Sequence, residues 1–139
     1  MRIKTGLVAA AAALATLLTP LAAGPAAAAG QITEATVEDP AFYGRVVLGW
    51  RYDGIDPILI TAQDRKTDGF AIGIRLVIND GNGQLRVIPS GKASAEWRTY
   101  LRQSNVYSVY FRVCKIRVAN DNIEDCYSSR VMENPIQAG

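Results

Sequence analysis

Apolar residues recur at every second position over several stretches of this chain, the period of a strand with one buried face. The clearest case is Phe70–Ile78. Phe70, Ile72, Ile74, Leu76 and Ile78 share one face, while Ala71, Gly73, Arg75 and Val77 share the other with Asn79. Val46, Leu48, Trp50 and Tyr52 alternate with Arg45, Val47, Gly49 and Arg51 in the same way, which assigns Trp50 and Tyr52 to the core face and turns Arg51 alone outward. Residues 58–62 form a short apolar strand, and 84–88 another that puts Leu85 and Val87 on one face. Residues 106–118 read as a long strand with Tyr107, Val109, Phe111 and Val113 together. Beyond Val113 the apolar positions slip by one to Cys114, Ile116 and Val118. That slip predicts a β-bulge near Val113, or a strand passing from one environment to another. Residues 94–103 contain good helix formers but also alternate through Trp97, Thr99 and Leu101, and their place among hairpins favours a strand.

Turn-forming residues separate these segments: Asp53-Gly54 with Asp56-Pro57, the polar loop 64–69, the run Asn79-Asp80-Gly81-Asn82-Gly83, and 89–92. Gln31–Asp39 is polar, ends at Pro40, and reads as a flexible N-terminus or an edge strand. About seven or eight short strands with regular turns and no firm helix predict an all-β fold. The expected architecture is a small single-domain antiparallel β-sandwich, immunoglobulin-like or Greek-key, with one disulfide-closed hairpin.

The first residues follow a different pattern. Arg2 and Lys4 precede an apolar stretch over 7–18 interrupted only by Thr16, and no residue from 5 to 31 is charged. Pro20 and Pro25 then lead to the alanines at 26–29 and to Gly30. This is the layout of a secretory signal peptide cut after Ala29. The strongly apolar run is about a dozen residues, short of the roughly 20 that span a bilayer, and no basic flank follows it. The expected organisation is a signal peptide over 1–29, a flexible segment over 30–42, the sandwich over 43–131 and a C-terminal tail over 132–139, with the protein secreted and free of the membrane after cleavage.

Export changes the charge and the redox setting. Arg2 and Lys4 are two of the 15 basic residues, so residues 30–139 carry 13 basic and 13 acidic side chains and no net charge. A basic footprint for nucleic acid is absent at this level. Cys114 and Cys126 are the only cysteines, and an even number in an oxidising compartment predicts a disulfide. Strands on either side of a turn at 119–121, centred on Asn120, place position 114 opposite 126 and Lys115 opposite Asp125.

Catalytic chemistry finds little support. With no histidine in the chain, Ser-His-Asp and Cys-His arrangements and imidazole metal ligands are excluded. There is neither a CxxC pair nor a G-x-S-x-G elbow. Carboxylates are available at Asp53, Asp56, Asp64, Asp68, Asp80, Glu96, Asp121, Glu124, Asp125 and Glu133, but most sit in turns, where backbone preference accounts for Asp. Asn79-Asp80-Gly81-Asn82 and Asn120-Asp121-Asn122 with Asp125 offer oxygen ligands for calcium without the spacing of a calcium loop. No enzyme activity, metal or cofactor is expected.

Two resemblances bear on the rest. Trp50-Arg51-Tyr52 is similar to the Trp-Arg-Tyr triplet displayed by small secreted α-amylase inhibitors of the tendamistat type. The likeness covers three residues, and the cysteines that frame the triplet in that family have no counterpart here. It implies an inhibitor that binds through Trp50, Arg51 and Tyr52. Thr67-Asp68-Gly69 before an alternating strand carrying Arg75, and Tyr110-Phe111-Arg112-Val113-Cys114 with a second cysteine about a dozen residues on, resemble small secreted β-domain proteins of filamentous actinobacteria. That likeness implies a disulfide-closed β domain and no activity. The expectation is therefore an extracellular binding or interaction module whose partner is a protein, a cell-wall polymer or another copy of itself. The alternative is an inhibitor of a secreted hydrolase, an amylase or a protease, presenting a rigid loop around 51–55 or the 119–122 turn. Trp97, Tyr100, Tyr107, Tyr110 and Tyr127 are the aromatics that would form a binding face.

Overall fold

The period-two segments do form strands. A computed structural model describes residues 30–136, so the expected signal peptide at 1–29 and the last residues of the expected tail, 137–139, lie outside the described residues. The strands are β1 (Gln31–Asp39), β2 (Phe42–Arg51), β3 (Gly54–Asp64), β4 (Phe70–Ile78), β5 (Gly81–Val87), β6 (Ser94–Arg102), β7 (Ser108–Arg117), β8 (Asn122–Ser128) and β9 (Met132–Glu133). They make two antiparallel sheets packed face to face. The first has the order β1-β2-β3-β6, the second β5-β4-β7-β8, with β9 also against β7. β3 and β4 follow one another in the chain yet lie in different sheets, as do β6 and β7, while β3 pairs with β6 and β4 with β7. β5 and β6 also lie in different sheets, so the chain crosses three times, and this interleaving is a Greek-key arrangement. Residues 94–103 are strand rather than helix because pairing with β3 fixes the alternation of Trp97, Thr99 and Leu101 toward the inside.

Burial follows the alternation. Phe42, Val46, Leu48 and Trp50 of β2 meet Ile72 and Ile74 of β4 and Val109, Phe111 and Val113 of β7 in the core. The sheets come close at Gly44, where an added Cβ would lie 2.5 Å from Val113 Cγ2 and 3.2 Å from Phe111 Cε2.

Several local expectations change. Residues 31–39 form the edge strand β1, anchored where Trp50 Nε1 donates to Thr33 Oγ1 at 2.8 Å. Arg65 pairs with Glu38 at 2.8 Å and Arg45 with Glu34 along the same edge. The hydrogen bond to Glu34, then its charge, raises the Arg45 pKa above the ordinary guanidinium value. The segment after 131 is no free tail: Met132 is fully buried and pairs with Val109, because the core needs that apolar side chain at the open flank of β7. Asn134 continues the attachment by donating from Nδ2 to Val106 O at 2.7 Å.

The slip at Val113 is not a bulge in β7, whose register with β4 runs unbroken from Phe70↔Arg117 to Ile78↔Val109. Both faces of β7 are simply covered at that point: Val113 points into the sandwich, and Cys114 and Ile116 are buried on the outer face. The bulge lies in β8. Cys114 faces Cys126 and Lys115 faces Asp125 as the sequence predicts, but Ile116 faces Ile123, leaving Glu124 unpaired. The connecting turn therefore has four residues, 118–121, with Asp121 at φ +59°, instead of three centred on Asn120. Leu85 and Val87 share a face, and it is the outer face of the second sheet, since they align with Arg75 and Gly73.

Cys114 and Cys126 are disulfide-bonded across β7 and β8, within one sheet, where immunoglobulin domains instead tie their two sheets together. The ring so closed spans only 12 positions. Replacing both cysteines by serine should cost about 2–3 kcal/mol. The check is a lower urea midpoint with an m-value no smaller than that of the wild type, because the chain without its cross-link exposes at least as much surface on unfolding; an unaltered midpoint would mean that the hairpin is already held by its strand pairing.

Candidate binding site

One end of the sandwich gathers the β2–β3 turn, the C-terminal end of β6, the 103–107 connection and the β4–β5 turn. Its rigidity begins with a glycine. Arg51 pairs with Gly54, so the β2–β3 connection is a two-residue turn at Tyr52 and Asp53. Gly54 has φ +147°, and a Cβ there would lie 1.9 Å from Leu101 O. The turn is thus pressed onto β6, where Gly54 pairs with Arg102. Gln103 N donates to Asp53 O at 3.0 Å, and Arg102 Nη1 reaches Asp53 Oδ2 at 3.4 Å. Arg51 Nε donates to Asp56 O at 3.2 Å. The Asp56-Pro57 peptide is cis and its backbone packs against Gly49, where no Cβ fits. A cleft of about 280 Å³ is lined by Arg51, Asp53, Ile55, Asp56, Leu101 and Arg102.

This geometry divides the sequence-predicted triplet. Trp50 is fully buried and is a core residue, unavailable to a partner. Arg51 is exposed, as expected. Tyr52 is not on the core face: it is 68% exposed at the turn, because the strand ends before it. Two further exposed tyrosines lie at this end. Tyr100, 60% exposed, stands on the outer face of β6 with the Arg102 guanidinium 5.6 Å from its ring centre. Tyr107, also 60% exposed, is held through its backbone N–H, which donates to Asn79 Oδ1 at 2.7 Å. Asn79 and Asp80 form the β4–β5 turn, both at positive φ.

The other watched aromatics fall elsewhere. Trp97 is half-buried against the core, Tyr110 stacks with Arg112 at 5.9 Å, and Tyr127 packs on Phe42 with ring centres 5.0 Å apart. Arg102 belongs to the site and was not singled out from the sequence; Asp53 was named there as a turn residue and an available carboxylate, but not as the partner of Arg102. The signal for Arg102 was present, since the β6 alternation carries Arg98, Tyr100 and Arg102 on one face. Among the described residues no three acidic or cysteine side chains gather where they could hold a metal ion. No helix among them is long and apolar enough to cross a membrane. The arrangement offers stacking surfaces, guanidinium donors and carboxylate acceptors on a fixed backbone, which is recognition chemistry.

No family model, curated protein or solved structure matches this chain.

Proposed function

We propose that this chain is a secreted binding module that recognises an extracellular partner through the end of the sandwich carrying Tyr52, Tyr100 and Tyr107. The observation that carries the proposal is the presence at one end of the sandwich of three tyrosines, each at least 60% exposed, together with Arg51 and Arg102 at the ends of strands held by backbone contacts. Tyrosine presents a large amphipathic surface at low entropic cost, and arginine adds directed hydrogen bonds. The signal-peptide pattern and the disulfide support an extracellular setting.

A second reading has its own support. Arg51 and Tyr52 project from a rigid two-residue turn, the form in which a protein inhibitor meets a hydrolase cleft. Purified disulfide-bonded protein incubated with culture supernatant and cell-wall fractions separates the two. Retention of wall polymer favours the binding module. Recovery of a stoichiometric secreted amylase or protease, with its activity lost, favours the inhibitor. In either case Tyr52→Ala and Tyr100→Ala should each weaken capture roughly tenfold or more while leaving the melting temperature nearly unchanged. Undiminished capture by the double variant would move the site away from this end.

A further inference from the structure

We propose that the outer face of the second sheet holds an oxyanion site built on Arg75 and Arg112. It lies on the other sheet from the tyrosine-bearing turn and does not depend on that reading.

Register brings the two arginines together. Arg75 on β4 is the direct partner of Arg112 on β7. Arg75 alternates with the core residues Ile74 and Leu76, and Arg112 with Phe111 and Val113, so both side chains leave the outer face. Directly opposed strand residues have Cα atoms roughly 4.5–5.5 Å apart. Two arginines are therefore rooted side by side on one face, and like charges directly opposite one another destabilise a sheet, a cost that an anion held between them would offset.

Neither arginine is neutralised within the chain. Arg45, Arg65, Arg102 and Arg117 each pair with a carboxylate, whereas among the described residues Arg75 and Arg112 do not. Arg75 Nε is moreover buried and has no hydrogen-bond partner. A buried donor without an acceptor is costly, and a shift of the side chain that brings it to an oxygen of a bound ligand would relieve that cost. Arg112 is braced by the ring of Tyr110, 5.9 Å from its guanidinium. Ser128, the β8 partner of Arg112, adds a hydroxyl to the same row. On this face Glu133 lies opposite Ser108, about 13 Å along β7 from Arg112, too far to serve as counter-ion. The ligand group is one with two or more oxygens to receive paired N–H donors: a phosphate, or a carboxylate or sulfate of like geometry.

Thermal unfolding and calorimetry of the disulfide-bonded protein test this. Sodium phosphate should raise the melting temperature above that in sodium chloride of equal ionic strength, and by more in the wild type than in Arg75→Gln, since exclusion of phosphate from the surface stabilises both alike. Arg75→Gln and Arg112→Gln should each weaken phosphate binding roughly tenfold or more. Arg98→Gln, an exposed change on β6 in the other sheet, should leave it unaltered. Linear polyphosphate distinguishes the source of the group: Arg75-dependent binding of the polymer alone would assign a polymer-borne phosphate, and binding of both an accessible single group. In phosphate-free buffer Arg75→Leu should melt no lower than the wild type, because it removes the repulsion along with the unsatisfied donor. Equal stabilisation by chloride and phosphate, unchanged affinity in both glutamine variants, or an equal loss in Arg98→Gln would each overturn the assignment.

Discussion

Gly54→Ala should destabilise the domain by about 3 kcal/mol or more and abolish partner capture together with it. Two causes act at one atom. The residue sits at φ +147°, a backbone conformation foreign to L side chains, and the new Cβ would lie 1.9 Å from Leu101 O, a backbone atom that cannot rotate away. Relief requires the β2–β3 turn to lift from β6, which breaks the pairs Gly54↔Arg102 and Ile55↔Leu101 and releases Asp53 from Gln103. Gly91→Ala isolates the conformational part. It has φ +83° but nothing within 4 Å of the new atom, and should cost only about 1–2 kcal/mol. Urea titration of both variants reads the difference. Equal costs would show that the contact with β6 contributes nothing.

Trp50→Ala is expected to cost about 3–5 kcal/mol, the range for emptying a large buried aromatic site. Trp50 is the largest fully buried side chain and also fastens the edge strand through Thr33 Oγ1 at 2.8 Å. Trp50→Phe separates these roles. It keeps much of the packing and loses the hydrogen bond, worth about 1 kcal/mol, so amide exchange should accelerate over 31–37 before it does in β4 or β7. A loss below 1 kcal/mol in the alanine variant, on the order of a surface change, would contradict the core position of this ring.

These two residues mark what alternation can and cannot reveal. The period-two pattern located β2 and β4 and put Trp50, Ile72 and Ile74 inside, because burial on one face leaves that imprint directly. The cysteine pairing was legible for a related reason: position 114 meets 126 within one hairpin, so counting back from the turn suffices even though the turn is one residue longer and a bulge at Glu124 compensates. Tyr52 was misplaced because alternation does not say where a strand stops. The strand stops at Arg51 because Gly54 must meet a carbonyl of β6, more than 40 residues away in sequence. The pairing of Asp53 with Arg102 escaped notice on the same account, since only the β3–β6 register makes them neighbours. For Leu85 and Val87 the pattern gave a shared face but not its side. Gly73 lets Leu85 and Ile116 close over the outer surface, a contact that depends on two strand partners at once.

The repeated crossing of the chain between the sheets also governs how the fold can be reached. The β2–β3, β4–β5 and β7–β8 hairpins join neighbours in sequence and can form within microseconds. β6 and β7 have no place to dock until β3 and β4 already stand in opposite layers, because their partners are those two strands. Assembly must therefore await loops of some thirty residues closing almost simultaneously, which places the domain among the millisecond-to-second folders typical of non-local β topologies. During that interval the edges of β3 and β4 are uncovered, and the nascent chain is then most open to pairing with another copy of itself.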